Sequence, residues 1–414
     1  MPWLLRLARV DLRALAVARI LLGMALLYDW IERVRDFGAL SSDAGVLPLD
    51  AHPLAGTVRG ALAPALWSAS DAWQGALLGA AGLAYLALAV GWRARWSTVA
   101  SWVLLCAVRD RNPFVGYGFD TVATLTLASL AFLPVGARYS VDARQLQSPS
   151  SSVASPAVLV LLAHACLVYG ITALMKLQHA PWRNGSAIAL TLGSDQTATW
   201  LGKAVLAVPH ASGALTAIVL AFEIAIPVLL TAPRTRPIGV AVVVALQVGI
   251  NLTMHIGVFG LASVAMVLPF ALPAQEPVDV RAPRWLWGLS ALAVASAGVW
   301  NACWLGVPKH DRLPRAYTEA VRVLHLDQNW GMFSSNLEHR TSRRWTVDGE
   351  PPPLDGLHWL YWMNVIGTDG PPDGLKRRRA DTARVLGALA IVQHDVDVLP
   401  DGSAGAARDT LLPQ

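Results

Sequence analysis

Apolar residues along this chain are concentrated in nine runs that contain few charged side chains. A run of about 20 apolar residues is long enough to cross the roughly 30 Å hydrocarbon core of a bilayer as a helix. The pattern predicts an all-α polytopic membrane protein with eight or nine transmembrane helices, because the third run is short and the seventh and eighth nearly touch. The runs cover residues 14–30, 73–91, 96–108, 120–135, 154–176, 211–231, 237–254, 256–273 and 284–306.

The pattern changes after residue 306, where charged residues become frequent. We therefore divide the chain into a helical bundle at 1–306 and a small extramembrane tail at 307–414. Within the tail, alternation and β-branched or aromatic content predict short strands at Thr341–Val347 and His358–Ile366. A helix is expected at Asp381–Val392 with Asp381 as its N-cap, and the last dozen residues are expected to fray.

Composition supports the membrane assignment and removes other classes of protein. Hydrophobic residues make up 54% of the 414 residues and charged residues 15%, against about 25% charged in typical soluble domains. This composition excludes an ordinary cytosolic enzyme, a disordered chain and a nucleic-acid-binding protein. The three cysteines lie far apart without a Cys/His cluster, so we expect no metal site.

Arginines in the short connecting segments predict the orientation of the bundle. They occur before the first run and then in every second connection, as expected for loops on the cytoplasmic side. The N-terminus is therefore predicted to be cytoplasmic, in what we expect to be a bacterial cytoplasmic membrane. The tail then lies on the periplasmic or extracellular side.

Lys176 ends the fifth apolar run and is the first candidate for chemistry. Charged side chains within spans are costly and tend to mark functional sites. Helical geometry places Tyr169 within about 20° of Lys176, with Thr172 one turn away on the same side. The alternative is a structural one, in which Lys176 lies at a helix end and its amine snorkels to the headgroup layer.

Glu223 lies in the middle of the sixth run, too far from either end for snorkelling. It must pair, become protonated or line a wet cavity. An ion pair with Arg19 of the first run is as consistent with the sequence as a chemical role. His255, between the seventh and eighth runs, either faces the outer side together with Asn251 or is held in a hydrogen-bonded turn.

Several motifs then occur in an order that resembles the HTTM-domain family, which includes the vitamin K-dependent gamma-carboxylases. They span about residues 5–335 and are Arg13, Arg19-Ile20-Leu21-Leu22-Gly23 and Asp29; Ser42-Asp43-Ala44-Gly45-Val46-Leu47-Pro48; Arg111-Asn112-Pro113; Gly136-Ala137-Arg138-Tyr139-Ser140-Val141-Asp142; Asn251, His255-Ile256-Gly257; and Leu326-Asp327-Gln328-Asn329-Trp330-Gly331-Met332-Phe333.

The resemblance implies roles for individual residues. The family's base, a lysine that deprotonates vitamin K hydroquinone, matches Lys176. An asparagine of the family matches Asn112, while Pro113 stands where the family has a histidine. Tyr169, Asn112 and His255 are then expected to orient the oxygens of the quinol. The family's large lumenal domain, which binds propeptide and glutamate, has no counterpart in the tail.

Two functions remain open from the sequence. The first is a quinol-dependent carboxylase or epoxidase acting on glutamate of an exported protein or peptide. It would need reduced quinone (vitamin K hydroquinone or menaquinol), oxygen and carbon dioxide, with Lys176 as base. The second is a non-catalytic lipid- or quinone-binding membrane protein, or a maturation or immunity partner of an exported peptide. Convergence of Lys176, Asn112 and His255 on one cavity would favour the first.

Overall fold

Helices form most of the computed structural model, which describes residues 2–145, 150–194, 196–281, 283–307, 309–331, 341–350, 356–366, 375–388 and 390–412. The helices before the tail are α1 (Pro2–Leu7), α2 (Leu12–Arg35), α3 (Phe37–Leu40), α4 (Val58–Leu62), α5 (Asp71–Val90), α6 (Ala94–Arg111), α7 (Gly118–Leu130), α8 (Pro156–Leu177), α9 (Ala180–Asn184), α10 (Ala187–Leu192), α11 (Trp200–Leu206), α12 (Ala211–Thr231), α13 (Arg236–Thr253), α14 (Phe259–Val267) and α15 (Arg284–Trp304).

Each of the nine predicted runs coincides with one of the longer helices: α2, α5, α6, α7, α8, α12, α13, α14 and α15. Within the described residues, six of these are long and apolar enough to cross a membrane, namely α2, α5, α8, α12, α13 and α15. Helices α7 and α14 are shorter than the fourth and eighth predicted runs, with which they coincide. Pro134 lies in the fourth run and Pro269 in the eighth, and proline removes a helical hydrogen bond and clashes with the preceding turn.

One end of the bundle is held together by a three-stranded sheet. Its strands are β1 (Arg9–Asp11), β2 (Ser152–Ala154) and β3 (Val278–Val280), with β2 antiparallel to β1 and parallel to β3. The Arg236 guanidinium, in the first turn of α13, donates to the carbonyls of Leu7 and Arg9. The N-termini of α2, α8, α13 and α15 therefore meet at this end, which we call the N-terminal end.

Two glycines allow close packing near this end. A side chain at Gly23 of α2 would lie 2.8 Å from Ala89 of α5, so only glycine permits the two helices to approach this closely. Gly91 ends α5 with a φ of 71°, in the left-handed region that glycine adopts without strain.

The opposite end of the bundle carries the tail, and we call it the tail end. The tail contains α16 (Arg315–Val323), α17 (Leu357–Ile366) and α18 (Leu375–Leu386). Its antiparallel sheet has the order β4 (Thr341–Val347), β5 (Ile391–Val398) and β6 (Ala404–Leu411), with Thr341 opposite Asp397 and Val347 opposite Ile391.

Three expectations for the tail need correction, whereas the strand at Thr341–Val347 is confirmed. The segment predicted as a strand at His358–Ile366 is helical, because burying Trp359, Trp362 and Met363 together requires spacing of three and four residues. The helix predicted at Asp381–Val392 instead ends at Leu386, before Gly387 with φ +63°, and Asp381 lies inside it. The residues expected to fray include the strand Ala404–Leu411.

A buried charge network joins the tail to the bundle. Arg33 of α2 lies 2.6 Å from Asp29 and 2.7 Å from Asp120. His358 of α17 contacts the other Asp29 oxygen at 3.0 Å through Nε2, and its Nδ1 lies 3.0 Å from the carbonyl of Val115. Arg33 thus forms ion pairs with both Asp29 and Asp120, and His358 of the tail contacts Asp29 as well.

His52 connects two of the sequence motifs at the tail end. Its Nε2 lies 3.2 Å from the carbonyl of Arg111, and Arg111 in turn donates to the carbonyls of Leu47 and Ser42. Burial, together with the nearby Arg111 guanidinium, lowers the pKa of His52 to about 4. The folded protein therefore keeps this imidazole neutral.

We expect the stability of the protein to depend on His52 at mildly acidic pH. The ordinary histidine pKa is about 6.5, so between about pH 6.5 and 4 the unfolded chain binds a proton that the folded chain excludes. The free energy of unfolding should consequently fall as the pH decreases through this window. Thermal unfolding in detergent from pH 7.5 to 4.5 should show a smaller decrease for His52→Gln than for wild type. His210→Gln, at an exposed position, is the control, and equal pH slopes for wild type and His52→Gln would contradict the prediction.

Candidate functional site

Lys176 and Glu223 form a buried ion pair between α8 and α12. The Lys176 amine lies 2.6 Å from Glu223 Oε1, and each residue is only 5% exposed. The amine also lies 4.3 Å from the centre of the Trp182 ring, close enough for a cation–π contact. The snorkelling alternative for Lys176 is therefore wrong, and the predicted burial of Glu223 is confirmed.

Arg19 is not the partner of Glu223. It is fully buried near the N-terminal end, where its Nη2 donates to the carbonyl of Tyr139 at 2.6 Å. The ion pair considered for Glu223 is therefore observed, but the suggested partner Arg19 is wrong, because α2 places Arg19 near the N-terminal end and Lys176 provides the cation. Spacing along the chain does not reveal which of two distant cations reaches a buried carboxylate.

A cavity of about 60 Å³ lies beside the ion pair. It is lined by five polar residues and six apolar or aromatic ones: Tyr169, Thr172, Lys176, Glu223 and Gln247, then Val168, Leu246, Ile250, Ile256, Phe259 and Trp330. The predicted grouping of Tyr169 and Thr172 with Lys176 is thus observed. The cavity can hold a few water molecules, but it is smaller than the roughly 150 Å³ that accepts a benzene ring.

Gln247 is a polar residue of this site that the sequence reasoning missed. Its Nε2 donates to the hydroxyl of Tyr169 at 3.2 Å. Among the described residues, neither Gln247 Oε1 nor Glu223 Oε2 has a hydrogen-bond partner, although both atoms are buried. Gln247 lies in the middle of an apolar run, as Glu223 does. The cost of a polar side chain at such a position therefore also marked Gln247 as a candidate.

The tail closes one wall of the cavity through Trp330. The hydroxyl of Thr172 donates to the Trp330 carbonyl at 3.1 Å. Trp330 Nε1 and the Asn301 amide both donate to Oε1 of Gln328 at 3.0 Å, and the Trp300 indole donates to the Gln328 carbonyl at 2.9 Å. The motif at 326–333, of which residues 332 and 333 lie outside the described part, thus anchors to α15 and reaches α8.

His255 lies outside the small cavity, at a larger one. A cavity of about 700 Å³ between the bundle and the tail is lined by His255, Asn251, Glu32, Trp345 and Trp359 among others. Ile256 lines both cavities. His255 is exposed, and its backbone N–H donates to the carbonyl of Thr197, beside a bridge between Ala198 and Met254. Asn251 and His255 therefore face the same cavity, and the hydrogen bond of His255 is to a distant segment and not within a local turn.

Asn112 has a structural position. Its side-chain amide donates to the carbonyl of Leu40 at 3.3 Å, and its Oδ1 accepts from the Phe114 N–H at 3.3 Å. It is buried and does not line the cavity around Lys176. The structure therefore brings Lys176, Glu223 and Tyr169 together at the small cavity. His255 lines the larger cavity, which shares Ile256 with the small one. Asn112 and Arg19 line neither cavity.

No group of three or more histidine, cysteine, aspartate or glutamate side chains that could hold a metal ion occurs within the described residues. The polar groups of the site are instead an amine, a carboxylate, a phenol, a hydroxyl and an amide. Such a set holds and moves protons and binds hydroxyl groups.

Comparison with known proteins assigns the chain to a family. Neither the curated proteins nor the solved structures that were compared with it gave a match. The family model of the HTTM domain matches residues 8–274, which include all the helices from α2 to α14 and the whole Lys176–Glu223 site apart from Trp330. The chain therefore belongs to the HTTM domain family, whose domain is the membrane part of vitamin K-dependent carboxylases.

Proposed function

We propose that the chain binds a lipid-soluble hydroquinone between its bundle and its tail and accepts a proton from it at the Lys176–Glu223 pair. The observation that carries the proposal is the buried pair beside two unpartnered acceptor oxygens, Glu223 Oε2 and Gln247 Oε1. Buried polar atoms normally have partners, and a hydroxyl donor would satisfy either of these two.

The sizes of the two cavities suggest where such a ligand would lie. The small cavity of about 60 Å³ admits a hydroxyl group or water, and the adjoining cavity of about 700 Å³ is in the ~300–1,000 Å³ range of small-molecule sites. Ile256 is the wall that they share. Contact between a ring hydroxyl in the larger cavity and the ion pair would require Ile256 to move.

Proton transfer within the pair provides the base. If the Lys176 proton moves to Glu223, two buried charges are removed and a neutral amine remains beside the cavity. Tyr169, held by Gln247, and Thr172 are positioned to orient a hydroxyl beside this amine. When bound, a reduced quinone would supply the redox chemistry with oxygen, and carbon dioxide would be the further reactant in a carboxylase.

Quinol-dependent oxygen uptake tests this function. We expect purified wild-type protein to retain quinone on extraction and to consume oxygen when menaquinol or vitamin K hydroquinone is added. Both Lys176→Ala and Lys176→Arg should lower this uptake by about 100-fold or more, since general-base catalysis contributes about 10²–10⁴-fold and arginine stays protonated. Lys309→Ala, at an exposed position of the tail, should retain wild-type uptake. Full activity of Lys176→Arg would contradict the role as a base.

A second candidate is a non-catalytic binder of lipid or quinone. The separation of Asn112 and His255 from Lys176 favours it, because the three residues do not converge on one cavity. This candidate predicts that wild-type protein retains quinone or lipid but shows no quinol-dependent oxygen uptake. If the wild-type protein binds no quinone, the quinol-dependent reaction is excluded. The second candidate is then limited to a lipid-binding protein.

The orientation belongs to the same proposal: with a cytoplasmic N-terminus, nine crossings place the tail on the periplasmic side of a bacterial cytoplasmic membrane. In a variant without native cysteines, we expect an impermeant maleimide to label Asp401→Cys in intact spheroplasts. Arg95→Cys, at the N-terminal end of the bundle, should react only after permeabilisation. Both positions are exposed, and the reverse labelling would place Lys176 near the cytoplasmic face.

A further inference from the structure

A second cavity at the tail end, separate from the Lys176 site, has a volume of about 520 Å³. It lies where α6 and α15 end and α7 begins, at the depth where membrane proteins commonly place tryptophan and tyrosine. Trp300, Trp304, Tyr117 and Tyr361 contribute aromatic rings to its walls. Aromatic residues at the ends of membrane helices are typical of the membrane–water interface.

The walls also carry two cations, Arg59 and Arg109, and one anion, Asp327. Arg109 donates to the neutral hydroxyl of Thr124 at 2.9 Å, and among the described residues no carboxylate lies within salt-bridge distance of it. Asp327 is 3.7 Å from Arg59, but Arg59 is already held by Asp110 at 2.7 Å. Oδ1 of Asp327 is buried and has no hydrogen-bond partner in the described part of the chain.

We propose that this cavity binds the headgroup of a zwitterionic phospholipid that carries a primary ammonium, a phosphoethanolamine lipid. Arg109 takes the phosphate, to which a guanidinium binds through charged hydrogen bonds. Asp327 takes the ammonium, and the neighbouring aromatic rings favour a cation over their faces. The acyl chains follow the lipid-facing side of α15, where Leu292 and Val299 are exposed.

The arrangement distinguishes among headgroups. A glycerol headgroup carries the same phosphate but no ammonium, so it brings no cation to Asp327 and leaves the phosphate charge unbalanced within the headgroup. A choline headgroup keeps its charge but has no N–H to donate to the carboxylate. A charged hydrogen bond of this kind corresponds to about a tenfold difference in affinity or more.

Native mass spectrometry of the delipidated wild-type protein tests the proposal without a mutation. With matched acyl chains, we expect phosphatidylethanolamine to bind about tenfold more tightly than phosphatidylcholine or phosphatidylglycerol. Soluble phosphoethanolamine should not displace it at equal concentration, because the membrane part of the lipid contributes to binding. Equal binding of the three lipids would overturn the proposal. Displacement by soluble phosphoethanolamine would show that the cavity binds the free compound and not a lipid headgroup.

Two variants then assign the residues. Asp327→Asn should abolish the preference for phosphatidylethanolamine while phospholipid binding persists, and Arg109→Gln should weaken the binding of all three lipids. Arg95→Gln and Asp311→Asn, which remove the same charges at exposed positions, should behave as wild type. A preference that survives Asp327→Asn in folded protein would overturn the assignment of the ammonium site.

Discussion

Replacing Lys176 by methionine is expected to destabilise the protein by about 3–5 kcal/mol, because the Glu223 carboxylate would remain buried without its partner. The double variant Lys176→Met/Glu223→Gln should recover most of this loss, since it removes both charges together. The ion pair is 2.6 Å long and only 5% of either residue is exposed, so solvent cannot compensate for the missing charge. Thermal unfolding of the single and double variants in one detergent measures the effect.

The same double variant separates structure from function. If the pair accepts a proton in a reaction, the double variant is stable but shows no quinol-dependent oxygen uptake. Glu223→Gln alone should be less stable than the double variant, because it leaves a buried ammonium beside the Trp182 ring. A double variant no more stable than Lys176→Met would contradict the account of Glu223 as an uncompensated charge.

Arg33→Met is expected to have the largest effect at the tail end of the bundle. Arg33 lies within 2.7 Å of both Asp29 and Asp120, and all three side chains are less than 10% exposed. Its loss removes the arginine that both buried carboxylates share, while His358 still contacts Asp29, and breaking even one buried pair costs about 3–5 kcal/mol. We expect a strong fall in the midpoint of thermal unfolding and in the yield of monodisperse protein.

Arg322 of the tail provides the control. Its side chain is 55% exposed and lies 3.7 Å from Glu319, which is 45% exposed, and exposed pairs of this kind contribute about 0–1 kcal/mol. Adding Asp120→Asn to Arg33→Met should restore part of the stability by removing one uncompensated charge. Equal stability of Arg33→Met and Arg322→Met would show that the network does not hold the bundle and tail together.

The sequence predicts the bundle well because hydrophobic runs report directly on burial in lipid. All nine runs coincide with helices, and the mid-run position of Glu223 correctly indicates that it faces the interior. The identity of its partner could not be predicted, since the pairing with Lys176 depends on which helices pack side by side. The same holds for Asn112, whose role is to hold a loop by contacting the Leu40 carbonyl.

The tail is predicted less well because its segments lack the membrane as a constraint. His358–Ile366 is rich in aromatic and β-branched residues, which favours a strand, yet its tryptophans are buried by a helix packed on the bundle. Packing against another part of the molecule overrides local propensity here. For the same reason, no local pattern indicates that His358 contacts Asp29 or that Trp330 covers the cavity beside Lys176.

The position of Trp330 in the chain has a consequence for biogenesis. The wall that it provides is synthesised after every helix of the bundle, and it docks only once the segment following α15 has folded back onto Thr172. Until then the Lys176–Glu223 pair lacks this wall. A ribosome-bound chain that has inserted all its helices would consequently still lack one wall of the cavity, which is completed only when the tail has docked.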